Sequence, residues 1–362
     1  MPLYELLREL LTRRVSDIHL QGGAPPLGRI EGQLHTFGTQ PLSHADVLAL
    51  AQSLLTPEEF GYFEDRHQYT AAVQVKELGR FRCHIFRQSG AVTLALRTVG
   101  ATVPSLASLG LPTDLMTGLA LAPRGLLLFA GPGDSGRTTS AASVVDHRNR
   151  QTTSRILTVE DPPEYLYAPA RSLIAQRAVG HDVRSAAQGL TAARVQDADL
   201  VFVGELRTAE EVRAALEVAQ SGRLVVSTFL ARDSGHALAR LERLFSPHER
   251  ADLRAALAET LLALVSQRLL PGLFGGDRVL AHEVLPGTPE VRAALEGDSP
   301  GAGLRALLAG SQTAVLHPLE AHLAALVRQQ RVSPEAALAA ASDPADLRAR
   351  LPAPGQGPRH PS

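Results

Sequence analysis

Residues Gly125–Thr139 read GLLLFAGPGDSGRTT. A short, almost continuous apolar run, Gly125–Ala130, leads directly into a glycine-rich turn and then into a helical stretch. Strand, turn and helix in that order are the context expected of a G-x4-G-K-[ST] phosphate loop. The strand delivers bare backbone amides to a helix N-terminus, where the helix dipole attracts anionic oxygens. The candidate phosphate contacts are therefore Gly131, Gly133, Asp134, Ser135, Gly136, Arg137, Thr138 and Thr139. The Thr138 hydroxyl is in addition a candidate magnesium ligand. A glycine-rich turn standing alone would be weak evidence, so the flanking strand and the partners below carry much of the weight.

Two residues of the loop depart from that pattern. Arg137 stands at the lysine position, and a broad planar guanidinium does not substitute conservatively for a compact ammonium at a tight site. Asp134 places a negative charge where a glycine would let phosphate approach. A like charge at about 4–6 Å costs roughly 1–3 kcal/mol in a partly screened site. Lys76 is the sole lysine of the chain, so arginine for lysine also fits a general compositional bias. The aspartate has no such origin.

Further along, Ile156–Val159, Leu200–Val203 and Leu224–Thr228 are short apolar runs separated by helical stretches, the pattern of parallel strands buried on both faces. Two of these runs end in acid. LTVEDPPE (157–164) closes on Glu160, Asp161 and Glu164, and DLVFVGE (199–205) closes on Glu205. Carboxylates at the carboxyl edge of a parallel sheet fall where ligands bind in such folds. Glu205 is a candidate general base for water, Glu160 and Glu164 are candidate catalytic carboxylates, and Asp161 is a candidate metal ligand. Taken singly, the first segment also reads as a solvated acidic turn and the second as a strand-end charge. Helices are expected over Ala251–Leu270, Leu304–Ala309 and His317–Val327.

Upstream, Pro2–Arg14 carries leucines at helical spacing, SDIHL (16–20) and Leu27–Leu34 read as strands with Gly32 as a break, and Ser43–Leu55 reads as a helix capped by Ser43. Tyr69–Val75 and Gly79–Val99 alternate like strands. The first hundred residues thus read as an α+β module, and the small residues and prolines of Gly100–Leu111 as a hinge.

Composition narrows the function. At 362 residues with 44% hydrophobic content, the chain has material for two domains. A formal charge of −1 and few aromatics give no electrostatic or stacking platform for nucleic acid. No apolar run reaches the roughly 18 residues of a membrane span, and no signal pattern opens the chain. The single cysteine, Cys83, excludes internal disulfides and cysteine-built zinc clusters. A cytoplasmic location follows as the expectation.

SDIHL with APP, RFRCHIFRQ, GPGDSGRTT, ILTVEDPPEY, ADLVFVGELR and AHEVLPGTPEVRAALE occur in the order seen in PilT-like secretion ATPases, the type IV pilus retraction family, and the resemblance spans nearly the whole chain. It implies an α/β protein with a PAS-like N-terminal domain (1–100), a linker (101–111), a RecA-like P-loop NTPase domain with C-terminal helices (112–345) and a disordered tail (346–362). It further implies ATP and Mg2+ as cofactors and a homo-oligomer, a hexameric ring, with or without a paralogous ATPase. The implied place of action is the inner face of the cell membrane, against a pilus platform protein. By the same resemblance Glu205 matches the catalytic glutamate, Glu160, Asp161 and Glu164 match the aspartate box, and Arg80, Arg82 and Arg97 fall where the N-terminal domain supplies arginines towards phosphate. Bridging between domains is the alternative role for those arginines. The histidine box departs from the family: Thr228-Phe229-Leu230 ends in a leucine, which can neither hydrogen-bond nor carry charge, and Arg223 replaces a histidine before that strand. The expected function is ATP-driven pilus retraction. The alternative is an impaired pseudo-ATPase acting as a structural or regulatory partner of an active paralogue, with Asp134, Arg137 and Leu230 as its cause.

Overall fold

A computed structural model describes residues 3–13, 15–30, 33–99, 102–274, 278–297, 300–310 and 316–351. The chain divides into two compact units: residues 1–102 with Pro162–Leu166, and residues 103–161 with 167–362.

The first unit runs α1 (Leu3–Thr12), β1 (Asp17–Gln21), β2 (Leu27–Ile30), β3 (Gln33–Thr36), α2 (His44–Leu54), α3 (Pro57–Arg66), β4 (Gln68–Val75), β5 (Gly79–Gln88) and β6 (Ala91–Val99). Its strands form one antiparallel sheet in the order β3-β2-β1-β6-β5-β4. Alternation decides which face is covered: Phe81, Cys83 and Ile85 of β5 point into a core with Leu6, Leu7 and Leu10 of α1 and Phe63 of α3. Burial pushes the Cys83 thiol up to about 12, which keeps it an inert core group. Ser43 caps α2 reciprocally with Asp46, as its sequence suggests. Helix α3 escapes the sequence reading although Thr56-Pro57-Glu58-Glu59 spells a capping box with proline in the first turn. The expected strand Leu27–Leu34 divides into the β2–β3 pair; its break at Gly32 lies outside the described residues. Gly79–Val99 is likewise a hairpin, turning at Ser89-Gly90.

The second unit runs α4 (Thr113–Ala120), β7 (Gly125–Gly131), α5 (Arg137–Gln151), β8 (Arg155–Glu160), β9 (Leu173–Ala178), α6 (Ala186–Ala193), β10 (Leu200–Glu205), α7 (Ala209–Gln220), β11 (Leu224–Leu230), α8 (Ser234–Leu244), α9 (Arg250–Thr260), β12 (Leu261–Pro271), β13 (Arg278–Pro286), α10 (Pro289–Glu296), α11 (Pro300–Gly310), α12 (Leu319–Arg328), α13 (Pro334–Ala340) and α14 (Pro344–Arg350). Seven strands make one sheet, β13-β12-β7-β11-β10-β8-β9, parallel except for β13 at the edge. Every residue of β7 is buried, as its unbroken apolar run demands. Phe129, Phe202 and Phe229 fill the centre, where truncation to alanine would cost about 3–5 kcal/mol each.

Two sequence expectations need correction here. Ala251–Leu270 is not one helix: α9 stops at Thr260, Leu261 turns to φ −63°, ψ 117°, and LLALVSQRLLP continues as β12. Short apolar stretches such as Leu261–Val265 satisfy helix and strand patterns alike. Partners remote in sequence decide it, because β12 bonds to β7 on one side and β13 on the other. The tail drawn from 346 also begins too early. Asp343 caps α14, Leu347 is fully buried, and α12, α13 and α14 pack with Leu270, Val279 and Ala281 into a second, smaller core. The remaining tail residues, from 352, lie outside the described residues. In the expected linker, Leu106 and Leu111 are buried and Leu106–Ser108 makes a single 3-10 turn. Among the described residues no helix is long and apolar enough to cross a membrane.

Candidate nucleotide site

Because β8, β10, β11 and β7 are neighbours and parallel, their carboxyl ends line up along one edge of the sheet. That edge carries, in order, Glu160 and Asp161, Glu205, Leu230 and the loop that starts at Gly131. Ligands bind at this edge in open parallel sheets, and of the residues the sequence singled out, Glu160, Asp161, Glu205, Leu230 and the Gly131–Thr139 loop fall along it.

The loop itself is shaped by backbone. At Gly131 a Cβ would stand 2.2 Å from Ser135 Oγ and 2.8 Å from the Gln267 carbonyl oxygen, so only glycine fits. Gly136 adopts φ +86° and stands at the N-cap of the fifteen-residue α5. A glycine there brings no side-chain oxygen of its own to the first amides, as at helix starts that accept an anion. Ser135 Oγ is buried without a hydrogen-bond partner, a polar group waiting for one. Asp134 is held at φ 59°, a left-handed conformation in which a non-glycine residue is strained. Thr138 lies in the first turn of α5, beside Thr139. Gln267, in β12, braces this helix: its Nε2 donates to Ser140 Oγ at 2.8 Å. Neither Gln267 nor Ser140 was picked out from sequence. The signal was a polar pair, Ser266-Gln267, inside an apolar run.

Side-chain charge at the edge forms a chain of ion pairs. Arg137 Nη1 donates to Glu205 Oε1 at 3.3 Å, Arg207 Nε donates to Glu205 Oε2 at 3.2 Å, and Arg207 Nη1 donates to Asp161 Oδ2 at 3.2 Å. Arg137 and Glu205 are only 14% and 26% exposed, whereas the outer pair, at 50% and 53%, is wet and contributes little. The residue at the lysine position thus engages the candidate base. Burial works against the charge of Arg207, but its hydrogen bonds to Glu205 and Asp161 prevail and hold the guanidinium above its ordinary value. Glu211, another residue the sequence reading passed over, fixes this corner: its carboxylate accepts from the Arg207 and Thr208 amides at 2.6 and 3.0 Å, completing the cap of α7. Thr228 Oγ1 donates to the Gly204 carbonyl at 2.7 Å and sets the end of β10 against β11.

Glu160 closes β8 and is buried. Glu164 lies on Pro162–Leu166, which belongs to the first unit, with Arg82 Nη1 3.7 Å from its Oε1. On β6 of the same unit, Arg97 Nε donates to Asp17 at 2.7 Å, and Arg80 and Arg82 stand on the adjacent β5. Leu230 faces Gly131 in register and is 38% exposed, an apolar side chain at the lip of the loop. Arg223 binds the carbonyls of Ser221 and Arg194 at 3.0 Å each, and His236 opens α8 with Nδ1 accepting from the Arg232 amide at 3.2 Å.

Comparison with known proteins agrees with this geometry. Residues 5–285 match the family described as type II/IV secretion system protein. The type IV pilus retraction ATPase PilT of Pseudomonas aeruginosa is 33% identical over 298 residues, 82% of this chain and 86% of that protein. The type IV pilus ATPase PilU of the same organism is 30% identical over 348 residues, 96% and 91% of the two chains. The crystal structure of the pilus retraction motor PilT with bound ADP superposes with a TM-score of 0.85 at 32% identity, covering 96% of this chain and 99% of that one. The chain is a member of the type II/IV secretion system protein family, built as an N-terminal α+β unit and a P-loop α/β unit.

Proposed function

We propose that this protein is an ATP-hydrolysing motor that drives retraction of a type IV pilus. The observation that carries the reading is the juxtaposition of a helix N-terminus at Gly136 with the Glu205 carboxylate, 3.3 Å from the guanidinium of the loop. An anion-accepting backbone and a proton acceptor on one sheet edge are what phosphoryl transfer to water requires. The amides from Gly133 to Thr139 would hold the nucleotide phosphates, and the Thr138 hydroxyl with the Asp161 carboxylate would hold Mg2+. The cation would neutralise charge between the phosphates. Glu205 would orient the attacking water and accept its proton, with Glu160 and Glu164 completing the acidic set. Arg80, Arg82 and Arg97 are candidates for phosphate contacts; Arg82 and Arg97 would then exchange Glu164 and Asp17 for the ligand. By likeness to its relatives the chain would act in the cytoplasm as a homo-oligomer, a ring of six alone or with a paralogue, against a platform protein at the membrane.

Magnesium-dependent ATP hydrolysis by the purified chain, measured beside Glu205→Gln, tests the proposal. The wild type should turn over, and the variant should lose at least about 100-fold, the usual weight of a general base. Equal rates would reject the motor. One observation favours a second reading. Because Arg137 neutralises Glu205, the chain would serve as an impaired regulator of an active paralogue. A silent wild type that gains hydrolysis in the triple variant Asp134→Gly, Arg137→Lys, Leu230→His would select it.

A further inference from the structure

Far from the loop in sequence, three histidines meet at the outer edge of the parallel sheet. His282 stands in the edge strand β13, His317 just before α12, and His322 in the first turns of α12. The rings of His282 and His322 are 4.1 Å apart centre to centre, and His317 lies 5.3 and 5.4 Å from them. One nitrogen from each falls within 4.8 Å of the others. From this convergence we propose that His282, His317 and His322 form a binding site for a divalent transition-metal ion of the zinc, cobalt or nickel type, which clamps α12 to the edge of the sheet.

The ring nitrogens are arranged for it. His282 is 6% exposed, and its Nδ1 has no hydrogen-bond partner, an uncommon state for a buried polar atom. The ring of His322 is caught by the backbone of His282, with Nδ1 lying 3.1 Å from the amide nitrogen and 3.2 Å from the carbonyl oxygen. With its proton on Nε2 the ring accepts the His282 amide at Nδ1; moving that proton to Nδ1 exchanges this bond for one to the His282 carbonyl and frees the Nε2 lone pair for a metal, the arrangement by which outer partners orient ligating imidazoles. His317 Nδ1 stands 3.3 Å from the Pro318 carbonyl and has the same option.

Donor chemistry selects the ion. Three imidazoles suit borderline divalent metals, whereas Mg2+ and Ca2+ require oxygen. The nearby carboxylates are committed elsewhere: Glu283 accepts from the Ser234 and Leu319 amides, and Glu320 from the Ser342 and Asp343 amides. Glu283 also ties the start of α12 to β13, so the histidines are presented by a fixed scaffold. A bound ion would bridge β13 to the small core built from α12, α13 and α14.

The test uses the full-length chain without an affinity tag, stripped of metal and titrated with Co2+ followed by visible absorption, then with Zn2+ in competition and Mg2+ as a control. The expected result is one equivalent of Co2+ with a d–d band, displaced by Zn2+ and not by excess Mg2+. At a hundredfold excess over Kd, Zn2+ should raise the thermal midpoint by about 5–10 °C. His317→Ala and His322→Gln, on the two half-buried members, should each weaken binding at least about 100-fold while leaving far-UV circular dichroism unchanged. Should either variant misfold, His317→Gln provides the same reading with less lost volume. Substoichiometric Co2+, displacement by Mg2+, or affinity unaltered in the folded variants would overturn the site. ATP hydrolysis is not part of the readout, so the result is independent of the motor reading.

Discussion

Two neighbouring regions of the parallel sheet's carboxyl edge hold opposite kinds of information. In Gly131–Gly136 the backbone does the shaping: a glycine that admits no Cβ, and a second glycine in the left-handed region at the helix start. Across β11, at the ends of β10 and β8, the content is side-chain charge. There Arg137, Glu205, Arg207 and Asp161 satisfy one another through three hydrogen bonds of 3.2–3.3 Å. The first region has the backbone shape of the proposed phosphate site. The second is a set of charges that have found partners within the chain. A strand-to-helix junction fixes its backbone shape through packing alone, whereas side-chain charge at the same edge depends on which partner reaches it, here a guanidinium long enough to reach the Glu205 carboxylate.

Removing the charge of Glu205 should separate the two regions most sharply. Glu205→Gln should abolish hydrolysis by at least about 100-fold yet leave nucleotide binding equal or tighter, because Arg137 is released towards the loop. Fluorescent-nucleotide titration beside a turnover assay checks this. A parallel loss of affinity would mean that the carboxylate belongs to the cradle after all.

Arg137→Lys comes next. A lysine is shorter and presents a point charge, so it should let go of Glu205 and reach the phosphates. We expect turnover to rise about 10-fold or more, with nucleotide affinity improving in step. An unchanged rate would show that the ion pair yields freely to substrate and that the arginine is an adequate replacement. Asp134→Gly acts on the backbone region instead. It removes a carboxylate beside the anion site and relieves a φ of 59°, so nucleotide affinity should increase about 5–10-fold from the electrostatic term. The thermal midpoint should shift little, since the relief of strain is offset by the larger unfolded-state entropy of glycine.

The same contrast governs how far sequence could be read. Strands β7, β8, β10 and β11 were legible because burial on both faces requires unbroken apolar runs, and the strand–turn–helix shape of the glycine-rich loop because its glycines answer to local geometry. Strand β12 was not, since LLALVSQRLL suits a helix equally until β7 and β13 claim its backbone. The pairing of Arg137 with Glu205, sixty-eight residues on, depends on a strand order that spacing does not encode. Gln267 behind the loop was hidden for the same reason, its partner Ser140 lying far off in sequence, whereas Glu211 under Arg207 had a local signal, since Thr208-x-x-Glu211 spells a capping box. Convergence of His282 with His317 and His322 likewise follows only once α12 is laid along the edge strand.

The smallest effect is expected at Leu230. It ends β11 opposite Gly131, is partly exposed, and its carbonyl already accepts from Arg240, so its backbone is held whatever the side chain. Replacement by histidine adds one donor at the lip of the loop without filling or emptying a core position. A single new hydrogen bond to phosphate contributes about 0.5–1.5 kcal/mol when neutral, which corresponds to roughly a 2–12-fold change. Leu230→His alone should therefore raise turnover by less than Arg137→Lys does. Combined with Arg137→Lys, it should multiply the gain if the two act on phosphate independently, and a double-mutant cycle measures the difference. Strict multiplication would mean that cradle and charge are separable elements of this edge. A combined effect far above the product would mean that the histidine matters only once Arg137 has left Glu205, making the ion pair the gate through which both regions act.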